Sequence, residues 1–274
     1  TRLLWLFEGF TSYYDDLQLF RSKRIDLKTY LKLVANNWNS ILRGPGRLKQ
    51  SLADSSFDAW TKYYQADENT PNAVVSYYGK GALLALGLDL KIRAFSYNRQ
   101  SLDDLMRLIW QTHGVTLDGI AEDGLDDLMQ TLLGAGFNKT WNEFKSRYIF
   151  GVEDIPIQKW INSKIISVKQ KTHSKLEQIK LQLGLRTSDA NGWLKVTHVL
   201  DGGAAQLAGL AAGDILASIN GERITAARWD KVLSSLISGQ VIQICFYRDD
   251  LEHECMTVLE DDQIPTQYTL TPAE

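Results

Sequence analysis

The chain is poor in the residues that announce a self-contained chemistry. Its 274 residues include only 2 cysteines and 4 histidines, too few for a disulfide framework. The histidines (His113, His173, His198, His253) never stand four apart, as two zinc ligands on one helix face would. A zinc site made from this chain alone is therefore not expected. Charge of one sign is also lacking: 30 basic against 33 acidic residues, net −3, give no global field for nucleic acid, whose affinity rests on neutralising phosphates. No nucleic-acid partner is expected. The longest uncharged stretches, such as Gly202 to Gly213 and Ser234 to Tyr247, fall short of the roughly 18 to 20 apolar residues that span a bilayer. No membrane span is expected. The opening TRLLWLFEGFTSYYDD has neither a Met nor a basic segment before its apolar run. It reads as neither a natural start nor a secretory signal, and Thr1 is expected to lie inside a longer protein.

What is present is an ordinary globular composition, 44% hydrophobic and 23% charged, long enough for two domains with a core each. From Leu3 to about Phe150 the apolar residues recur with helical period. Leu102, Leu105, Met106, Ile109 and Trp110 mark one face of a helix behind Ser101 as N-cap, with Asp103 and Asp104 in the first turn, where the helix dipole favours anions. Thr140 and Glu143 have capping-box spacing and predict a helix start ahead of Phe144. Gly81 to Ala94 is apolar on nearly all sides, the pattern of a helix inside a core. Gly44-Pro45-Gly46 breaks the helical pattern and leads into a loop with Arg47, Gln50 and Ser51.

From Pro156 to Arg186 lysines dominate, with Glu177 the one acid, and the stretch reads as a solvated linker and first strand. After Leu183 the period changes to two. Leu194 and Val196, then Ile215, Ala217 and Ile219 up to the turn pair Asn220-Gly221, then Ile242, Ile244 and Phe246 read as half-buried strands. A small-residue segment from Gly202 to Gly213 and a helix from Trp229 to Ile237 lie between them. Cys245 and Cys255 flank a hairpin around Asp249-Asp250 and are expected to be free thiols, in keeping with a cytoplasmic location.

Gly202-Gly203-Ala204-Ala205, Ala208-Gly209-Leu210, Gly213-Asp214-Ile215-Leu216 and Ile219-Asn220-Gly221 together resemble the core motif of PDZ domains. Leu183-Gly184-Leu185 is similar to that family's loop, whose N–H groups capture a peptide's terminal carboxylate before the peptide adds as a strand. Equally, Leu183 and Leu185 are candidates for plain core positions.

Three blocks in the first half resemble the gluzincin zinc aminopeptidases, most closely their glycyl-aminopeptidase family, which carries a C-terminal PDZ domain. These are Leu4-Trp5-Leu6-Phe7-Glu8-Gly9-Phe10-Thr11-Ser12-Tyr13-Tyr14, then Gly46-Arg47 through Gln50-Ser51-Leu52 to Trp60, and Ser76-Tyr77-Tyr78-Gly79-Lys80-Gly81-Ala82, with Phe150-Gly151-Val152-Glu153-Asp154-Ile155-Pro156 closing the helical part. The resemblance implies that Glu8 is a zinc ligand, the other two being histidines of an HEXXH helix that this sequence lacks. It implies that Tyr78 donates a hydrogen bond to the oxyanion, with Tyr77 as the adjacent alternative. For Lys80, Arg47 and Gln50, substrate contact and structural roles both stay open.

The expected architecture is α+β, the mainly α-helical C-terminal part of a gluzincin (thermolysin-like) catalytic domain over 1–160, a PDZ-like small β-barrel over 165–262 and a tail over 263–274. The expected function is that of the C-terminal part of a zinc aminopeptidase releasing glycine or alanine from peptides, inactive alone, with zinc held in the complete enzyme and not tightly by this chain. Its partners would be peptide substrates and a peptide ligand of the PDZ domain. The competing reading is a non-catalytic PDZ adaptor on a helical scaffold. No nucleophile signature of the G-x-S-x-G kind supports a serine protease.

Overall fold

The computed structural model describes residues 1–161, 164–261 and 264–273. The chain is α+β, with a helical unit followed by an antiparallel sheet unit. The helical unit contains α1 (Leu4–Arg21), α2 (Leu27–Arg43), the short α3 (Leu52–Phe57) and α4 (Thr70–Ala73), the central α5 (Gly79–Phe95), α6 (Leu102–Ile109), α7 (Leu125–Leu133), α8 (Asn138–Phe144) and α9 (Ile157–Trp160). As the all-round apolar pattern requires, α5 buries Leu84, Leu88 and Ile92 completely. Ser101 caps α6 through a reciprocal capping box with Asp104, which satisfies two amides that a helix start otherwise leaves orphaned. The Thr140–Glu143 spacing does not mark a start, because α8 already begins at Asn138. The polypeptide enters it from the short Ala135–Phe137 turn, with Phe137 buried. Among the described residues no helix is long and apolar enough to cross a membrane.

The sheet unit begins differently from the sequence reading. Its lysine-rich lead contains β1 (Ile166–Gln170) and a helix, α10 (Lys175–Leu183), where only a linker and a strand were expected. A second capping box, Ser174 with Glu177, starts α10, and Ile179 and Leu183 bury one side of it. There follow β2 (Leu185–Ala190), β3 (Trp193–Val199), α11 (Ala204–Leu207), β4 (Ile215–Ile219), β5 (Glu222–Arg223), α12 (Trp229–Ser235), β6 (Val241–Arg248) and β7 (Leu251–Val258). The main sheet runs β2-β3-β4-β6-β7, with β5 hairpinned onto β4. Asn220 and Gly221 take the positive φ values, 49° and 76°, that this tight hairpin requires. Asp249 and Asp250 do the same between β6 and β7. In that register Cys245 faces Glu254 and Cys255 faces Ile244. The two thiols are free.

The last strand, β8 (Tyr268–Pro272), does not extend the main sheet. It pairs antiparallel with β1 and lies on the helical unit. The rings of Tyr268 and Trp38 stack at 4.3 Å, Leu270 joins the helical core, and the Asn39 side chain closes both backbone groups of Tyr268 at 2.8 Å each. Thus part of the segment read as a tail over 263–274 is a strand seated on the helical unit, and β1, placed in the PDZ span of 165–262, lies outside the main sheet and packs on the same helical core. Residues 262, 263 and 274 of those spans lie outside the described residues.

Candidate active site

A backbone crossing between α1 and α5 sets the site. A Cβ added to Gly9 would stand 2.6 Å from the Gly81 Cα, and one added to Gly81 would stand 2.9 Å from both the Gly9 Cα and the Trp5 carbonyl oxygen. Only glycine at both positions permits that approach. The crossing places Glu8, one residue before Gly9, near the segment that leads into α5. The field of its carboxylate is felt at the hydroxyls of both Tyr64 and Tyr78. Glu8 is half-buried, and its carboxylate forms no ion pair or hydrogen bond among the described residues.

The lead into α5 is held from both sides. The Val75 N–H donates to Gln50 Oε1 at 3.0 Å, and the Val75 carbonyl accepts from the Ser55 hydroxyl at 2.5 Å. Gly79 is fixed by Ser76 Oγ, which accepts its N–H, and by Asn37, which donates to its carbonyl. Between these anchors stand Tyr77, fully buried, and Tyr78, half-buried, their rings stacked at 4.6 Å. The Tyr77 hydroxyl donates to that of Tyr64 at 3.3 Å, and the Tyr64 and Tyr78 hydroxyls lie 3.1 Å apart. Burial raises the Tyr77 hydroxyl well above the ordinary phenol range. Hydrogen bonds from Tyr77 and Tyr78 pull the solvent-facing Tyr64 down, and the bond to Tyr64 raises Tyr78. Tyr78 also borders a cavity of about 410 Å³ that it shares with Ser12, Asp16 and Asn37.

Tyr64 escaped the sequence reading. Its signal was its spacing four residues after Trp60, which places two aromatic rings on one turn of backbone. In the structure they stack at 5.1 Å on a π-helical turn, Ala59–Tyr63, with Trp60 77% exposed. Gln50 takes a structural position here, since its carbonyl holds Val75. Arg47 pairs through Nε with Asp154 at 2.9 Å, so the Gly46-Arg47 block meets the Val152 to Pro156 block. Lys80 is 1% exposed and donates to the Arg47 carbonyl at 3.2 Å. Desolvation lowers its ammonium to about 8.

The donor set for a metal is partial. A half-buried carboxylate without a protein partner suits zinc ligation, but a catalytic zinc takes three protein ligands and an open position. Among the described residues no group of three or more His, Cys, Asp or Glu side chains is placed to hold an ion.

The segment Leu183-Gly184-Leu185, read from the sequence as a peptide-binding loop, is a helix end. Leu183 closes α10 and is 1% exposed. Gly184 is the left-handed C-cap with φ 66°, its N–H donating to the Lys180 carbonyl at 3.2 Å, and Leu185 opens β2 opposite Val199.

Residues 1–84 match the family model of the M61 glycyl aminopeptidases and residues 173–237 that of the PDZ domain. Both resemblances read from the sequence are thereby borne out. The crystal structure of an aminopeptidase N family protein from Idiomarina loihiensis is 30% identical, with a TM-score of 0.88, over 100% of this chain and 47% of its own. The chain thus spans about half the length of that relative. A serine endoprotease from Yersinia pestis (18% identity, 33% of this chain, 30% of its own, TM-score 0.22) and the HtrA3 PDZ domain bound to a phage-derived ligand (12%, 39%, 92%, 0.24) also match. At these TM-scores they carry nothing further. No curated protein matches.

Proposed function

We propose, from a chain whose first 84 residues match the M61 glycyl aminopeptidase family and whose residues 173–237 match a PDZ domain, that it is the C-terminal part of a zinc aminopeptidase acting on peptides with a small N-terminal residue, glycine or alanine. The observation that carries this is the juxtaposition made by the Gly9–Gly81 crossing, a carboxylate without a protein partner beside a clustered set of phenols. Bound zinc, with Glu8 as one ligand and two ligands from outside this chain, would supply a Lewis acid and a water of lowered pKa. The described residues supply orientation. Tyr78 is a neutral donor for the oxyanion formed when an amide carbonyl is attacked, and such donors are worth about 3 kcal/mol when preorganised. Tyr77 sits too deep to serve in its place and instead holds Tyr64. Gln50 and Ser55 fix the strand-like lead that carries Tyr78, and an error of about 1 Å there is costly to catalysis.

By this reading the chain alone is inactive and the complete protein works with zinc, in a cytoplasmic setting. The PDZ domain binds peptides. The test is release of p-nitroaniline from glycine p-nitroanilide by the intact protein. Tyr78→Phe is expected to lower kcat by about 10²- to 10³-fold with KM little changed. Equal turnover by wild type and variant contradicts the assignment of Tyr78, and no turnover by the intact zinc-loaded protein favours the adaptor.

A further inference from the structure

Three phenols meet at the site, and the proposed function gives only Tyr78 a place on the reacting atoms. We infer that Tyr64 is a second donor to the same oxyanion, so that the attacked carbonyl oxygen is held between two hydroxyls, with Tyr77 as the positioning residue behind them. The inference deepens the peptidase half of the proposed function and rests on it.

Distance is the first argument. The hydroxyls of Tyr64 and Tyr78 lie 3.1 Å apart, so one oxygen can stand about 2.8 Å from each, the separation of a donor from a developing oxyanion. Both also feel the Glu8 carboxylate, so neither is remote from the proposed ligand.

The count of protons is the second. Each phenol has a single proton to give. That of Tyr77 is directed at Tyr64. The bond between Tyr64 and Tyr78 lowers the first and raises the second, the signs expected when Tyr78 donates and Tyr64 accepts. Tyr64 therefore accepts twice, and its own proton is the one of the three with no phenol left to take it. Because the side chain is exposed, that proton faces outward. A hydroxyl that accepts hydrogen bonds is polarised into a stronger donor. When an oxyanion forms beside the pair, Tyr78 turns its proton from Tyr64 to the new charge, and both hydroxyls then point at one oxygen.

The third argument is that the Tyr64 ring is held while its hydroxyl is open. It stacks on Trp60 at 5.1 Å and meets Tyr63 edge-on at 5.4 Å. Tyr63 is itself tied to Ser76 Oγ at 3.3 Å, the atom that also fixes Gly79. The Tyr64 N–H closes the π-helical turn on the carbonyl of fully buried Ala59 at 2.9 Å, and π-turns of this kind recur at functional sites. A donor fixed in this way needs little reorganisation when charge develops.

Turnover of glycine p-nitroanilide by the intact protein tests the inference. Tyr64→Phe is expected to lower kcat about 10- to 100-fold with KM little changed. Tyr64→Phe combined with Tyr78→Phe is expected to lose less than the product of the two single losses, because both donors act on one oxygen. Equal kcat in wild type and Tyr64→Phe, a change confined to KM, or strict multiplication in the double variant overturns the inference while leaving the assignment of Tyr78 in place. Absence of turnover in the wild type overturns the peptidase reading and this inference with it. A second readout needs no turnover. In ¹³Cζ-tyrosine spectra of the intact protein, the signal lost in Tyr64→Phe is expected to titrate below that lost in Tyr78→Phe, and to move up in Tyr77→Phe. A Tyr64 midpoint unmoved by Tyr77→Phe overturns the positioning role of Tyr77 and the proton count with it.

Discussion

Lys80 carries its charge in a place that resists it. Among the described residues its only hydrogen-bond acceptor is the Arg47 carbonyl, and desolvation brings the folded pKa to about 8 from 10.5. Between those values the unfolded chain binds more protons than the folded one, so this residue makes stability rise with pH there, by about 3 kcal/mol in total. Below about pH 8 its full penalty is present. Lys80→Met is expected to remove that rise, measured as the wild-type-minus-variant difference in unfolding free energy from urea titrations at pH 7 to 10.5. Taking the difference cancels the buried tyrosines, whose raised hydroxyl pKa values act in the opposite sense above pH 10. A flat difference contradicts the burial account. At this scale the sequence marked Glu8 and Tyr78 through their neighbours in a motif. It was silent on Tyr64, whose role depends on a π-helical turn that brings its hydroxyl to two others.

Between elements, the decisive contact is glycine on glycine. A methyl at Gly81 would meet backbone at 2.9 Å on two sides, and backbone cannot move aside as a flexible side chain can. Gly81→Ala is therefore expected to destabilise by about 1 to 3 kcal/mol and to separate Glu8 from Tyr78. The denaturant midpoint reads the first effect, and an unchanged midpoint would show that α1 and α5 do not cross as described. In the sequence both glycines are visible, but the reason for them is a meeting of two helices far apart in the chain. Local signals served well where the helix itself holds the information, as in the Ser101 cap. They misled at Thr140, where turn residues already lead into the helix. At α10 the Ser174–Glu177 box was present, but the surrounding lysines masked it. Their charge says only that one face is solvated, while Ile179 and Leu183 face the core.

Across the whole molecule, the last strand returns from the sheet unit to the helical core, and Lys49 and Asn72 tie the helical unit to Asp201 and Val199 of the sheet unit. The seat of β8 on α2 had no legible local signal, since its partner β1 lies a hundred residues earlier and the Trp38–Tyr268 stack joins opposite ends of the chain. Tyr268→Ala is expected to shift tryptophan emission to the red and lower the melting temperature, since a stacked aromatic pair contributes about 0.5 to 1.5 kcal/mol beyond its buried area. Unchanged emission would place Trp38 elsewhere. The division into a helical unit and a PDZ unit was legible because the hydrophobic period changes from 3.6 to 2 near Leu183. The central claim, that Glu8 is one ligand of a zinc whose other ligands lie outside this chain, is tested most directly by zinc content. Elemental analysis of the intact protein is predicted to give one zinc per molecule in the wild type and well below one in Glu8→Gln. Equal zinc in the two would contradict it.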